Sequence, residues 1–557
     1  MPRTSCRTAV CLFLTLAGCA SERDAGRSRP RDPAPASAAA GAADVETRIT
    51  VDAIAGPLAF LADDLFEGRG PGSRGDALAR AYLAAEFRAA GLAPGGVGGS
   101  YEQPTPIVGM TATLVEPLSV AGPNGAETFQ APDDYVVFPW TESPTLAWDK
   151  AETVFVGYGI TAPEQNWDDF KDVDVRGKVV VVMNDDPSSD PSLFAGKTRL
   201  YYGRWTYKFE EAARRGAIGA LLIHTTPSAS YPFQVIQSNH GQERFNLPSA
   251  ERSGLRIAAW ISEEAARKLA AAGGKDLDAL RRDAESRAFR PTPLGVTASV
   301  RAANKVRTFE SGNVVGVLRG SDPKLRDEYV AVTAHFDHLG RGPAKGGDEI
   351  YNGALDNASG TAAMLALARA WTAGGARPKR SVLFLGVTAE ESGLLGSEHY
   401  ARNPTVPIKA IVANFNIDGV NIWGRTRDVA LVGHGKSSLV DVVERAAARQ
   451  GRRIVPDPEP EKGTFYRSDH FSFARVGVPS VYLKAGRDFV DDAETRRSIQ
   501  MSYTALHYHQ PSDAFDARWN LEGAVEDLKL MSLALRDVAD APAPPRWTPG
   551  DEFEKLR

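Results

Sequence analysis

Cysteine is nearly missing from this 557-residue chain: its three cysteines, Cys6, Cys11 and Cys19, all fall within the first nineteen positions. The rest of the chain can form neither a disulfide nor a thiolate metal site, so its stability has to come from packing. Long hydrophobic runs are also lacking. The apolar stretch AVCLFLTLAG at 9–18 is too short to span a bilayer, and no other stretch is long and apolar enough to do so. Nor is there a strong charge of one sign. With 65 basic and 70 acidic residues the formal net charge is -5, which gives no footprint for a polyanion, and nucleic acid is not an expected partner.

What the first residues do contain is a secretion pattern. Arg3 and Arg7 precede the apolar run, as in a signal segment that is later removed. The run ends in Leu16-Ala17-Gly18-Cys19, which resembles the lipobox of bacterial lipoproteins. The resemblance implies a signal peptide over 1–19 and lipidation of Cys19, with more than one acyl chain and hence stable anchoring in the bacterial cell envelope, on its periplasmic or outer-surface side. Residues 20–45, rich in Pro, Ala and charge without apolar periodicity, read as a flexible tether.

At this length the chain exceeds one ordinary core, and two or three domains are expected. Residues 46–115 carry an amphipathic helix at 75–90, with Leu78, Tyr82, Leu83 and Phe87 on one face and Gly91 as its stop. The turn-rich Glu67-Gly68-Arg69-Gly70-Pro71-Gly72-Ser73 before it lacks the Lys-Ser/Thr ending of a phosphate loop and reads as a structural loop. Residues 116–303 differ in texture. TVFVGYGI at 153–160 and KVVVVM at 178–183 predict buried strands, followed by a helix at 207–216 and a strand at 217–223. This segment resembles a protease-associated domain, a non-catalytic insertion of several secreted or membrane peptidases. Residues 304–545 alternate strand-like and helix-like runs, and 546–557 form a tail. The fold class expected is α/β: a mixed, largely parallel sheet sandwiched by helices, with a smaller α/β domain inserted.

Six residues with metal-seeking side chains occur in order in the third of these regions: His335, Asp356, Glu390, Glu391, Asp418 and His509. His335 follows the strand pattern YVAVTA, Glu390 and Glu391 follow SVLFLGVT, and Asp418 follows IVANFNI, so these groups fall at the carboxyl ends of strands, where α/β sheets receive ligands. Two cations about 3.5 to 4 Å apart need a bridging carboxylate and further ligands on each, and imidazole with carboxylate suits zinc.

The segments AHFDHLG, NGALDNASG, TAEESGLLGS, FNIDGV, RSDHFSF and YHQPSD resemble the successive motifs of the co-catalytic di-zinc aminopeptidase family, which includes aminopeptidase Y and the plasma glutamate carboxypeptidase type. The resemblance implies the zinc exopeptidase fold and two zinc ions per chain, with ligands His335, Asp356 as the bridge, Glu391, Asp418 and His509. It implies that Glu390 is the general base and that Asp337 orients the His335 imidazole. Gly353 permits close backbone approach beside Asp356. His338 is read as local structure, His470 as supporting the pocket, and His509 is preferred over its neighbour His507 for the Gln510-Pro511-Ser512-Asp513 frame that follows it. The oxyanion donor stays open between Tyr466, Arg467 and the metals. The activity implied is a metallo-aminopeptidase acting on peptides; a carboxypeptidase or dipeptidase of the same fold, a glutaminyl cyclase-like cyclotransferase and an inactive receptor-like homologue are the rivals.

Overall fold

The computed structural model describes residues 45–557 apart from 230, 249–254 and 376. The signal segment, nearly all of the tether and Cys19 lie outside the described residues. No helix among the described residues is long and apolar enough to cross a membrane.

Runs of β-branched and apolar residues make the central strands. Tyr329–His335, Ser381–Val387 and Ile411–Asn416 are buried at every position, as expected for strands covered on both faces. The first lies between the other two and is parallel to both. Beyond Ile411–Asn416 the sheet continues through Ser480–Ala485, Asp428–Val432 and Arg453–Pro456. On the other side, Ser381–Val387 pairs antiparallel with the end of the long strand Thr292–Leu318.

That strand and Glu102–Gly122 form an antiparallel ribbon in which Ser311 faces Thr105, Val306 faces Met110 and Thr297 faces Ala121. The ribbon carries the chain away from the first sheet region and back. At its far end Thr292–Leu318 pairs with Thr145–Phe155, which begins a second, mainly parallel set: Val179–Met183, Gly219–His224 and Ile257–Ser262, with Tyr135–Pro139 antiparallel at the edge. Positions 116 and 303, where the sequence reading divides the chain, both lie on this ribbon.

Helices cover the sheet. Gly360–Ala373 is buried at nearly every position, including Trp371, and packs with Val51–Leu61, Arg74–Ala89 and Glu522–Asp540 in one apolar core. In Arg74–Ala89, Leu83 and Phe87 are fully buried while Leu78 and Tyr82 pack at the edge, and Ser73 caps its first turn by accepting from Asp76 N at 3.2 Å. The strand expected at 153–160 ends at Phe155. Gly157 and Gly159 take φ of 59° and 61°, a conformation that leaves the extended region and turns the chain toward the next element. Around the second set of strands separate apolar clusters form, centred on residues such as Trp148, Phe155 and Trp260.

Candidate metal centre

The three adjacent strands deliver their side chains to one place. His335 is the last residue of its strand, Asp418 comes two residues after Asn416, and Glu390 and Glu391 come three and four residues after Val387. Asp356 sits in the turn Ala354–Ser359 that leads into helix Gly360–Ala373. His509 follows helix Ala493–His507, with a φ of 56°. All six residues of the sequence reading therefore meet.

Asp356 lies between two histidines. His335 Nε2 is 3.3 Å from Asp356 Oδ1 and 3.3 Å from Asp418 Oδ1. His509 Nε2 is 3.4 Å from Asp356 Oδ2 and 3.0 Å from Glu391 Oε2. A tetrahedral ion with bonds of about 2.0 Å keeps its ligand atoms about 3.3 Å apart, so each histidine stands from its two carboxylates at the spacing that such an ion requires, and the two sets share one carboxylate. A second grouping overlaps these: His335, Glu390 and Asp418, and likewise His338, Asp356 and Glu391, each bring their ligand atoms within 4.8 Å of one another.

Hydrogen bonds outside the donor sets fix the ligands. His335 Nδ1 is 3.2 Å from the Asp337 carbonyl oxygen. Only an N–H can serve that contact, so Nδ1 carries a proton and Nε2 is turned toward Asp356 and Asp418. The Asp337 carboxylate stands 3.6 Å from the same nitrogen and accepts the backbone N–H of Glu390 at 3.1 Å and of Glu391 at 3.4 Å. Asp513 does the same for Asp356: its carboxylate accepts Leu355 N at 2.9 Å, Asp356 N at 3.1 Å and the Tyr503 hydroxyl at 2.7 Å. Gly353, at φ 55°, passes so close that an added Cβ would lie 2.3 Å from His338 Cγ.

Two residues matter more than their sequence context suggests. His338, read as local structure, is fully buried and places Nδ1 2.6 Å from Glu391 Oε1. Arg69, from the loop read as structural, is also fully buried. Its guanidinium donates to the carbonyls of Leu61, Phe336, Asn352 and Gly353 at 2.6 to 2.9 Å, tying the segments on either side of the centre together. The sequence signal available for Arg69 was only its place in a glycine-rich turn. His507, by contrast, stays outside, with Nδ1 3.0 Å from Ser512 Oγ. His470 is buried with its ring 4.8 Å from Phe465. Tyr466 is buried and donates its hydroxyl to Glu552, away from the centre. Tyr508 stacks on His509 at 3.8 Å between ring centres.

Without metal ions the centre is electrostatically polarised. Burial opposes the charged imidazolium of His335, but Glu390 and then Asp337, Asp356 and Asp418 hold it well above its usual range. Burial likewise opposes His509, yet Glu391 and Asp356 raise it to about 10. Burial drives Glu390 well above the carboxylate range, helped by the charges of Glu391 and Asp418 and opposed by His335. Such a centre attracts cations and holds carboxyls in different states of protonation.

Residues 313–533 match the family described as Peptidase family M28. Aminopeptidase YwaD of Bacillus subtilis (strain 168) is 28% identical over 227 residues, 40% of this chain and 44% of its own length. A glutamate carboxypeptidase 2 homolog of Caenorhabditis elegans is 23% identical over 404 residues, 60% of this chain and 46% of its own. The chain thus spans less than half the length of these curated relatives. The solved structure of an aminopeptidase from Aneurinibacillus sp. strain AM-1 superposes with a TM-score of 0.51 at 19% identity, covering 90% of this chain and 97% of that one, a likeness of fold. The segment 313–533 of this chain is thus similar to peptidase family M28.

Proposed function

We propose that the chain is a zinc-dependent exopeptidase, an aminopeptidase that removes N-terminal residues from peptides, with two zinc ions held by His335, Asp356, Asp418, Glu391 and His509. The observation that carries this reading is the Asp356 carboxylate, each of whose oxygens lies beside a different histidine, which in turn lies beside a different second carboxylate. The residues present fit the metal pair in donor type and spacing. When bound, the ions supply Lewis acidity to the scissile carbonyl and lower the pKa of water.

Glu390 is the base of the reaction. Its backbone is pinned by Asp337, and its carboxylate lies within 4.8 Å of the His335 and Asp418 ligand atoms without being required by either donor set. It takes a proton from the attacking water as oxygen bonds to the carbonyl carbon, and returns that proton to the amine nitrogen as the C–N bond breaks. Asp337 positions both ends of this step, through the imidazole of His335 and the amides of Glu390 and Glu391.

Residues 116–303 act as a protease-associated domain beside the centre; supporting this, the guanidinium of Arg475 in the peptidase segment pairs with Glu210 at 2.9 Å and the ring of Tyr201 lies 4.7 Å from Phe471. Cys19 anchors the chain by lipid in the cell envelope, on the motif at 16–19. A carboxypeptidase of the same fold is the second reading, favoured by the similarity to a glutamate carboxypeptidase 2 homolog.

The test is a panel of peptides with free and acetylated N-termini and free and amidated C-termini, assayed with and without chelator. Cleavage confined to free N-termini and abolished by chelator supports the aminopeptidase reading. Cleavage of acetylated peptides from the C-terminus would replace it with the second.

A further inference from the structure

The loop that carries Glu390 is held in a shape that an unconstrained chain would leave. Ala389, immediately before the base, has a φ of 53° and Leu394 one of 65°, both in the left-handed region that residues with a Cβ avoid. The loop closes on itself where Gly396 N donates to the Thr388 carbonyl at 2.9 Å and Leu395 N to that of Ala389 at 3.1 Å. Asp337 takes the amides of Glu390 and Glu391 from one side. From the other side the loop is gripped at its two ends.

The grip comes from the root of the ribbon, where Asn313 stands opposite Gln103 and Ser311 opposite Thr105. Two positions apart on one strand, Asn313 and Ser311 point to the same face, and both meet Thr388. Asn313 Oδ1 accepts Thr388 N at 3.1 Å, while its Nδ2 donates to the Gly396 carbonyl at 2.8 Å and to Gln103 Oε1 at 2.9 Å. Gln103 is oriented in turn by its own Nε2, which donates to the Asn403 carbonyl at 2.6 Å. One amide thus clasps both ends of the loop. A Cβ at Gly396 would lie 2.5 Å from Asn313 Oδ1, so this close approach needs a glycine there.

Ser311 adds a second contact. Its hydroxyl donates to Asp76 Oδ1 at 2.6 Å, and with its one proton so used it accepts from Thr388 Oγ1 at 2.7 Å. Thr388 Oγ1 also lies 3.5 Å from the same Asp76 oxygen. Asp76 comes from helix Arg74–Ala89, where Arg80 Nε donates to its other oxygen at 3.3 Å and Arg80 Nη1 to Glu102 at 2.6 Å. Asp76, Ser311, Asn313 and Thr388 are each at most 1% exposed, and no buried nitrogen or oxygen of their side chains lacks a partner. A buried network whose members are all satisfied rigidifies what it holds. None of these hydrogen bonds ends on a metal ligand.

We infer that Asn313 and the Asp76–Ser311 pair, acting through Thr388, are positioning residues for Glu390: they keep Ala389 at its positive φ and so aim the carboxylate of the base. The inference rests on the reading of Glu390 as base.

The test uses the full chain and the nearly isosteric Thr388→Val, which removes the hydroxyl contact, with Thr388→Ser to restore it and Asn313→Ala to open the other clasp. Each is read by peptide hydrolysis, by bound metal from elemental analysis, and by hydrogen–deuterium exchange over residues 388–396. Thr388→Val and Asn313→Ala are expected to lower kcat about ten- to a hundredfold, with KM within about twofold, bound metal at the parent value and exchange over 388–396 about tenfold faster. Thr388→Ser should return kcat to within about threefold of the parent. Added to Glu390→Gln, Thr388→Val should lower the rate no further, because the group that it misaims is already gone. A parent-like kcat in both Thr388→Val and Asn313→Ala, a loss that Thr388→Ser shares, or additive losses with Glu390→Gln overturns the inference. So does a loss of bound metal, which would assign the network to Glu391. Full activity in Glu390→Gln would overturn Glu390 as base, and this inference with it; unchanged exchange over 388–396 while Glu390→Gln is inactive overturns this inference alone.

Discussion

Glu390 and Glu391 are neighbours in sequence but are held in opposite states when the centre is free of metal. Burial raises Glu390, and the charges of Glu391 and Asp418 add to it. For Glu391, burial and Asp356 oppose ionisation, but His338 and His509 outweigh them and hold it down at about 2. One carboxyl is thus poised to carry a proton and the other to act as a permanent anion. Glu390→Gln is expected to lower kcat by about 10²- to 10⁴-fold while bound metal, measured by elemental analysis, stays at the parent value. Asp337→Ala removes the acceptor for two backbone amides and the carboxylate 3.6 Å from His335 Nδ1, while the ring keeps its carbonyl contact, so metal affinity, followed by competition with a chelator, should fall by about 10- to 100-fold. At this scale the sequence was informative wherever the strand-end pattern and the motif order coincided. It said little of His338, whose value comes from where Glu391 lands, or of Arg69, whose acceptors lie up to 284 positions away in the chain.

Among elements, the loop Asp64–Arg69 does more to hold the centre than its turn-like composition suggests. Burial lowers the Arg69 guanidinium to about 10, and the carboxylates of Asp337, Asp513, Asp356 and Glu391 work against that loss. Arg69→Met would leave four carbonyls without their shared donor, each about 1 to 3 kcal/mol when buried and unpaired, so a fall in thermal midpoint of several degrees is expected. Arg69→Lys should recover only part of it, because an ammonium cannot reach four carbonyls in a planar fork. Equal midpoints for the parent and the Met variant would remove this loop from the account. Strands with continuous apolar runs were legible in the sequence, because burial on both faces leaves a strong pattern. The strand end near 155 was not, since it depends on glycines turning at positive φ. Helix Ala493–His507 is not marked by burial either: none of its residues is buried, and Ile499 and Leu506 on its apolar face stay exposed.

For the whole molecule, acid stability should carry the mark of buried carboxyls. Burial raises Asp76 to about 6, against Ser311 and Arg80, whose hydrogen bonds favour its charged form. A carboxyl with a higher pKa folded than unfolded binds its proton more tightly in the native state. Its contribution is therefore fully present below pH about 4 and is lost as pH rises toward 6. The thermal midpoint of the parent relative to Asp76→Asn should accordingly decline between pH 4 and pH 6.5, and a flat difference would contradict this. The layered α/β plan was legible because strand and helix patterns alternate, whereas the long ribbon joining the two sets of strands was not, since pairing between residues 102–122 and 292–318 is a long-range event. The central claim is that one carboxylate, Asp356, serves two metal ions at the meeting of three strands and a distant histidine. Its most direct measurement is a crystallographic anomalous-difference map of the zinc-loaded protein. The account predicts two peaks flanking the Asp356 carboxylate, one beside His335 and Asp418 and the other beside His509 and Glu391; a single peak, or two that do not share Asp356, would contradict it.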